Sequence, residues 1–132
     1  MPVRTAAKRR QEAKIAYDAF LAECPSRQLL DTLSDKWVTL VLNALADGSQ
    51  RHSELARRIA GVSQKMLTQT LRSLERDGLI ARSVTLAVPV RVDYELTRLG
   101  ADLERQMRGL KHWAEAHMPD ILAARVKYDA QG

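Results

Sequence analysis

Ser63-Gln64-Lys65-Met66-Leu67-Thr68-Gln69-Thr70-Leu71-Arg72-Ser73-Leu74-Glu75-Arg76-Asp77-Gly78 is the stretch that decides the fold. Ser63 offers a side-chain oxygen to cap a helix, and Asp77-Gly78 offers the residue types that end one. Between them Leu67, Leu71 and Leu74 stand at i, i+4 and i+7, one apolar stripe on a helix over about Gln64 to Arg76. With that stripe turned inward, Lys65, Thr68, Gln69, Arg72 and Arg76 fall on the opposite side at spacings of three and four. The outward stripe has no carboxylate, and Glu75 lies to its side. Arginine can bind guanine bidentately, glutamine can pair with adenine, and the threonine methyl can touch the thymine methyl. Ser63 and Gln64 occupy the helix N-terminus, the end a reading helix presents to a major groove. Ordinary solvated helix faces share this composition, so the neighbouring elements have to arbitrate.

Upstream, a helix over about Ser53 to Ile59 precedes a turn at Gly61. Before it, Asp35 to Ala46 is apolar on almost every side and reads as the buried central helix, capped by Ser34 and ended by Asp47-Gly48. Pro25 opens a short helix with Leu29, Leu30 and Leu33 as its inner face. Ala6 to Glu23 favours helix, with Ile15, Ala19 and Ala22 at helical spacing and Phe20 and Leu21 beside them. Downstream, Leu79 to Thr85 and Val90 to Leu96 are rich in β-branched residues and flank Ala87-Val88-Pro89, which predicts a hairpin. Thr97 caps a long helix with the stripe Leu99, Leu103, Met107, Leu110, Ala114 and Met118. Pro119 is expected to break or kink it, leaving a last short helix over Asp120 to Tyr128. This order is the winged helix-turn-helix plan. The expected fold is mainly α with a small β-hairpin, a winged helix-turn-helix domain flanked by N- and C-terminal dimerisation helices. Residues 1–132 form one domain, with a basic helical extension over 1–23, the core over 24–97 and C-terminal helices over 98–132.

The 132 residues carry 21 basic and 16 acidic side chains, a net charge of +5, and 45% are hydrophobic. The chain can build a core, and its basic balance favours an anionic partner such as nucleic acid. Arg4, Lys8, Arg9, Arg10 and Lys14 crowd the N-terminus, whose first few residues are expected to fray. The single cysteine excludes an intrachain disulfide and a cysteine-based zinc cage. The densest apolar run, Trp37 to Ala46, is too short for a bilayer, and no secretory signal is visible. A small soluble cytoplasmic protein is expected, without membrane contact. None of the G-x-G-x-x-G, G-x-x-x-x-G-K, H-E-x-x-H or G-x-S-x-G patterns occurs, so no catalytic residues and no cofactor are expected. His112 and His117 do not share a helical face and His52 stands alone, so no metal site is expected.

Arg82 and Arg91 lie on the two hairpin strands, where a basic wing can track phosphates or enter a minor groove, and Pro89 stiffens the tip. Their other reading is edge-strand arginines that discourage aggregation. Arg51, Arg57 and Arg58 flank the first helix of the pair as phosphate clamps or as plain surface charge. The candidate DNA contacts are therefore Ser63, Gln64, Lys65, Thr68, Gln69, Arg72, Arg76, Arg51, Arg57, Arg58, Arg82 and Arg91. The stripe Leu99, Leu103, Met107, Leu110, Ala114 and Met118 exceeds what so small a core can cover, which favours a partner helix from a second copy, joined by Ile15 and Phe20. Both helices folding back on their own subunit is the alternative. Such a dimer would set two reading helices about one DNA turn apart on a near-palindromic site. Trp37, Trp113 and Tyr94 can line a ligand pocket or pack the core. A protein–protein adaptor that uses the same fold without reading DNA is the competing function.

Cys24-Pro25, Asp35-Lys36-Trp37, Arg51-His52-Ser53-Glu54-Leu55, Ser63-Gln64-Lys65-Met66-Leu67-Thr68, Leu74-Glu75-Arg76-Asp77-Gly78-Leu79, Val88-Pro89, Val92-Asp93-Tyr94 and Leu96-Thr97-Arg98-Leu99-Gly100 together resemble the HxlR family of bacterial winged-helix transcription regulators. The resemblance covers about Cys24 to Trp113. It implies a homodimeric regulator of double-stranded DNA related to the MarR group, dimerised through its N-terminal and long C-terminal helices. His52 replaces a residue that is usually aromatic in the family. By itself, Cys24 sits at or before a helix N-terminus, where unpaired N–H groups favour a thiolate, and Arg27 can add charge one turn away. The resemblance makes it a candidate sensor of a small oxidant or electrophile. Its other reading is a small residue that fills space.

Overall fold

The computed structural model describes residues 5–132. Arg4, the fraying expected of the first residues, and the side chain of Leu21 lie outside the described part. The chain forms two compact units, one ending at Lys36 and one running from Trp37 to Gly132.

The first unit is a pair of helices, α1 (Ala6–Glu23) and α2 (Pro25–Leu33). The Thr5 hydroxyl accepts from the Lys8 N–H at 3.1 Å. Pro25 opens α2 because a first-turn residue needs no N–H. Every described α1 side chain is exposed, and α2 has none buried. The expected inner face of α2 is accordingly bare: Leu29 and Leu30 are exposed and Leu33 is half-buried. Ser34 is the C-cap of α2, and its hydroxyl donates back to the Asp31 carbonyl at 2.8 Å.

The second unit holds the core. In α3 (Lys36–Leu45), Val38, Val41, Leu42, Ala44 and Leu45 are buried. Leu40 and Asn43 are exposed, so the expected all-round burial is a one-sided burial. Against α3's contribution stand Leu55 and Ile59 from the α4 (His52–Arg58) segment, Leu67, Leu71 and Leu74 of α5 (Gln64–Arg76), and Leu79 and Ile80. Gly61, at φ +83°, makes the turn between α4 and α5. The Ser63 hydroxyl accepts from the Met66 N–H at 3.0 Å and starts α5. A Schellman turn ends it: the Leu79 N–H reaches the Leu74 carbonyl, and the Gly78 N–H reaches that of Glu75, both at 3.0 Å. Gly78 takes the left-handed conformation this requires, at φ +74°.

The sheet has three antiparallel strands in the order β1-β3-β2, with β1 (Gln50–Arg51), β2 (Ile80–Thr85) and β3 (Arg91–Leu96). The predicted hairpin is β2–β3. The extra strand β1 has two residues, too few to show any period. The buried Gln50 side chain, also without a sequence signal, donates its amide to the Ala44 carbonyl at the end of α3. The register pairs Arg82 with Tyr94, Val84 with Val92 and Arg51 with Asp93.

Thr97 caps α6 (Arg98–Gln131), accepting from the Gly100 N–H at 3.1 Å and donating to the Gly78 carbonyl at 2.6 Å. The helix runs unbroken through Pro119, so the expected break and separate last helix do not occur. One missing N–H is outweighed by propagation of good helix formers on both sides. No described helix is long and apolar enough to cross a membrane.

Candidate nucleic-acid interface

Burial of the apolar stripe of α5 fixes which face points outward. Leu67, Leu71 and Leu74 are buried, while Ser63, Gln64, Lys65, Gln69, Arg72 and Arg76 are exposed. Thr68 is half-buried, and its hydroxyl lies 3.1 Å from Nε2 of His52 on α4. His52 thus links the two helices of the pair with a polar contact at the position where an aromatic was expected to pack.

Side-chain alternation on the hairpin separates its two arginines. Ile80, Arg82 and Val84 share a face with Val92, Tyr94 and Leu96. Arg91 and Asp93 stand on the other face, with Arg51 opposite Asp93. On the first face, Thr68, Arg72 and Glu75 of α5 and Arg82 and Tyr94 of the wing line a shallow concavity of about 190 Å³. Arg72 and Arg82 therefore flank one depression between helix and wing. Glu75, read from the sequence as lying to the side, is part of that lining.

Ion pairing divides the basic residues further. Arg91 Nε donates to Asp93 Oδ2 at 2.9 Å. That hydrogen bond, the Asp93 charge and the more distant Glu54 raise the Arg91 pKa above its ordinary value. Arg51 lies 3.5 Å from Glu54, whose carboxylate also accepts from the Arg51 N–H and steadies the start of α4. Arg58 is paired with Asp47. Among the described residues, Arg57, Lys65, Arg72, Arg76 and Arg82 form no ion pair. Among the candidate contact residues, the positive charge outside ion pairs thus lies on α5, on β2 and at Arg57.

The three large aromatics do not share the concavity. Tyr94 lines it. Trp37 is half-buried and reaches Gly61. Trp113 is half-exposed on α6 and stacks on His117 with ring centres 4.5 Å apart. On α6, Leu99 and Leu110 are exposed, and Leu103, Met107, Ala114 and Met118 are half-buried. On α1, Ile15 and Phe20 are exposed. Sequence reading missed Glu104, buried at 3% exposure on α6 and held by Arg108 Nη2 at 2.7 Å. The Glu104–Arg108 spacing of four was its available signal.

Cys24 is half-buried, a free thiol at the N-cap of α2. Its pKa is lowered, first by the Arg27 backbone N–H and then by that of Ser26, with partial burial opposing and the Ser26 hydroxyl assisting. The Arg27 guanidinium is not the cause that was expected; it faces Asp31 at 3.6 Å.

The profile of the HxlR-like helix-turn-helix family matches residues 32–121. An uncharacterised helix-turn-helix type transcriptional regulator of Escherichia coli, YtfH, is 42% identical over 106 residues, 80% of this chain and 84% of that protein. The solved structure described as the transcriptional regulator ytfH from Salmonella typhimurium is 42% identical and superposes with a TM-score of 0.68, over 80% of this chain and 95% of that one. The reduced form of the redox regulator HypR is 36% identical with a TM-score of 0.69, over 76% of this chain and 99% of that one.

Proposed function

This chain belongs to the HxlR-like helix-turn-helix family, and we propose that it regulates transcription as a homodimer on a near-palindromic DNA site. The observation that carries this reading is the unpaired basic and polar face of α5, with Arg82 of the wing standing across a shared concavity from Arg72. Each subunit lays α5 in a major groove, with Ser63, Gln64, Lys65, Thr68 and Gln69 toward the leading end. Arg72 and Arg76 lie further along, and Arg82 and Arg57 hold flanking phosphates. Arg51, Arg58 and Arg91 are already paired with acids and contribute less. The apolar stripe of α6 meets its counterpart in the second subunit, and Ile15 and Phe20 of α1 offer further apolar surface to a partner copy. Cys24 is the proposed sensor of a small oxidant or electrophile. Its lowered pKa supports the role, as does likeness to the redox regulator HypR.

The test is fluorescence-anisotropy binding to the duplex immediately upstream of the chain's own gene, against a scrambled duplex, across a salt series. Preference for the upstream duplex with a steep fall in affinity as salt rises is expected. Arg72→Ala costs about 1–3 kcal/mol on the specific duplex and relaxes its sequence preference. Equal losses on both duplexes would reassign Arg72 to a phosphate. No binding to either duplex at low salt would overturn DNA reading in favour of the adaptor.

A further inference from the structure

Between Arg82 and Arg91 the wing reads Ser-Val-Thr-Leu-Ala-Val-Pro-Val, eight residues without a charge. Val84, Leu86, Val88 and Val90 are exposed together, Leu86 at 89% and Val88 fully. A bare apolar hairpin end invites unwanted strand pairing, so its persistence calls for an occupant. Three features favour nucleic acid. Arg82, which forms no ion pair among the described residues, stands at the foot of the tip, and no acidic residue interrupts the tip. Arg82 and Val84 follow one another on the strand face that shares the concavity with Arg72, so the tip continues the surface assigned to the duplex. From a helix seated in the major groove, a wing reaches the adjacent minor groove.

That groove is about 6 Å wide, while paired strands run about 4.8 Å apart before side chains are counted. The tip therefore enters only a groove that opens. Apolar side chains open it by wedging between base steps, unstacking them and bending the duplex toward the major groove. We propose that the wing tip, Leu86 to Val90, is an apolar wedge that enters the minor groove beside α5 and bends the DNA. This rests on the DNA-binding reading above. It adds a preference for easily unstacked pyrimidine–purine steps at the wing position.

The test uses the full-length chain and the same upstream duplex, labelled at both ends for energy transfer. The wild-type complex is expected to show a bend of about 20–90°. The double variant Leu86→Ser, Val88→Ser loses most of the bend and binds about tenfold more weakly, with the salt slope unchanged because no charge is altered. Both side chains are exposed, so the variant keeps its helical circular dichroism. Leu86→Met, which retains an apolar wedge, keeps the bend. A straight duplex in the wild-type complex, or a serine variant that binds and bends like wild type, overturns the wedge and leaves DNA binding standing. A serine variant that changes only self-association assigns the tip to a second copy and also overturns it. No wild-type binding to the duplex overturns both readings.

Discussion

At the scale of single residues, Cys24 and His52 show how little side-chain identity says without its surroundings. The Cys24 thiol is acidified by backbone N–H groups at the α2 N-terminus, while the neighbouring guanidinium is engaged with Asp31. Alkylation by iodoacetamide should therefore follow a pH midpoint below that of an ordinary thiol, and Arg27→Gln should leave the midpoint in place. A midpoint that rises with Arg27→Gln would return the effect to the side chain. Because the folded pKa is the lower one, the thiolate's contribution to stability is fully present above the unfolded thiol's pKa. It is lost as pH falls through the folded value. His52 could be placed by sequence only as a departure from an aromatic pattern. Its contact with Thr68, sixteen residues away, ties down the hydroxyl and leaves the methyl of a proposed DNA contact free.

Elements are held in place by close backbone contacts as much as by the core. The first turn of α6 sits on the turn that ends α5. The Thr97 N–H reaches the Leu79 carbonyl at 3.1 Å, and a Cβ on Gly100 would stand 1.9 Å from that same oxygen. The clash is with backbone, so it cannot be relieved by a rotamer change. Gly100→Ala is expected to destabilise the second unit by at least about 1–3 kcal/mol in urea denaturation. A wild-type midpoint would show that α6 can pivot freely at its N-terminus. The caps of α5 were legible because each signal lies within three residues of the end it marks. Strand β1 was not, because two residues become a strand only by pairing with β3.

For the whole molecule, the second unit covers its core with α3, α4, α5 and the base of the hairpin, and leaves most of α6 bare. Leu110 is 68% exposed in the middle of that helix, so replacing it does little to the isolated subunit. Leu110→Asp is expected to convert a dimeric mass in sedimentation at micromolar concentration to a monomeric one, with helical content retained. A monomeric wild type, or a variant that stays dimeric, would remove the proposed α6 interface.

The sequence by itself determined the helices, the hairpin and the outward face of α5. Caps, left-handed glycines and apolar periods act on the residues beside them, which is why the α5 bounds follow from Ser63 and Gly78. The tertiary structure decided that Arg58 is engaged, since it pairs across eleven positions with Asp47, whereas Arg91 with Asp93 and Arg51 with Glu54 pair within two and three positions. It also brought Glu75 into the concavity. Such outcomes depend on residues brought together by folding, and neither periodicity nor composition encodes which carboxylate an exposed arginine will face.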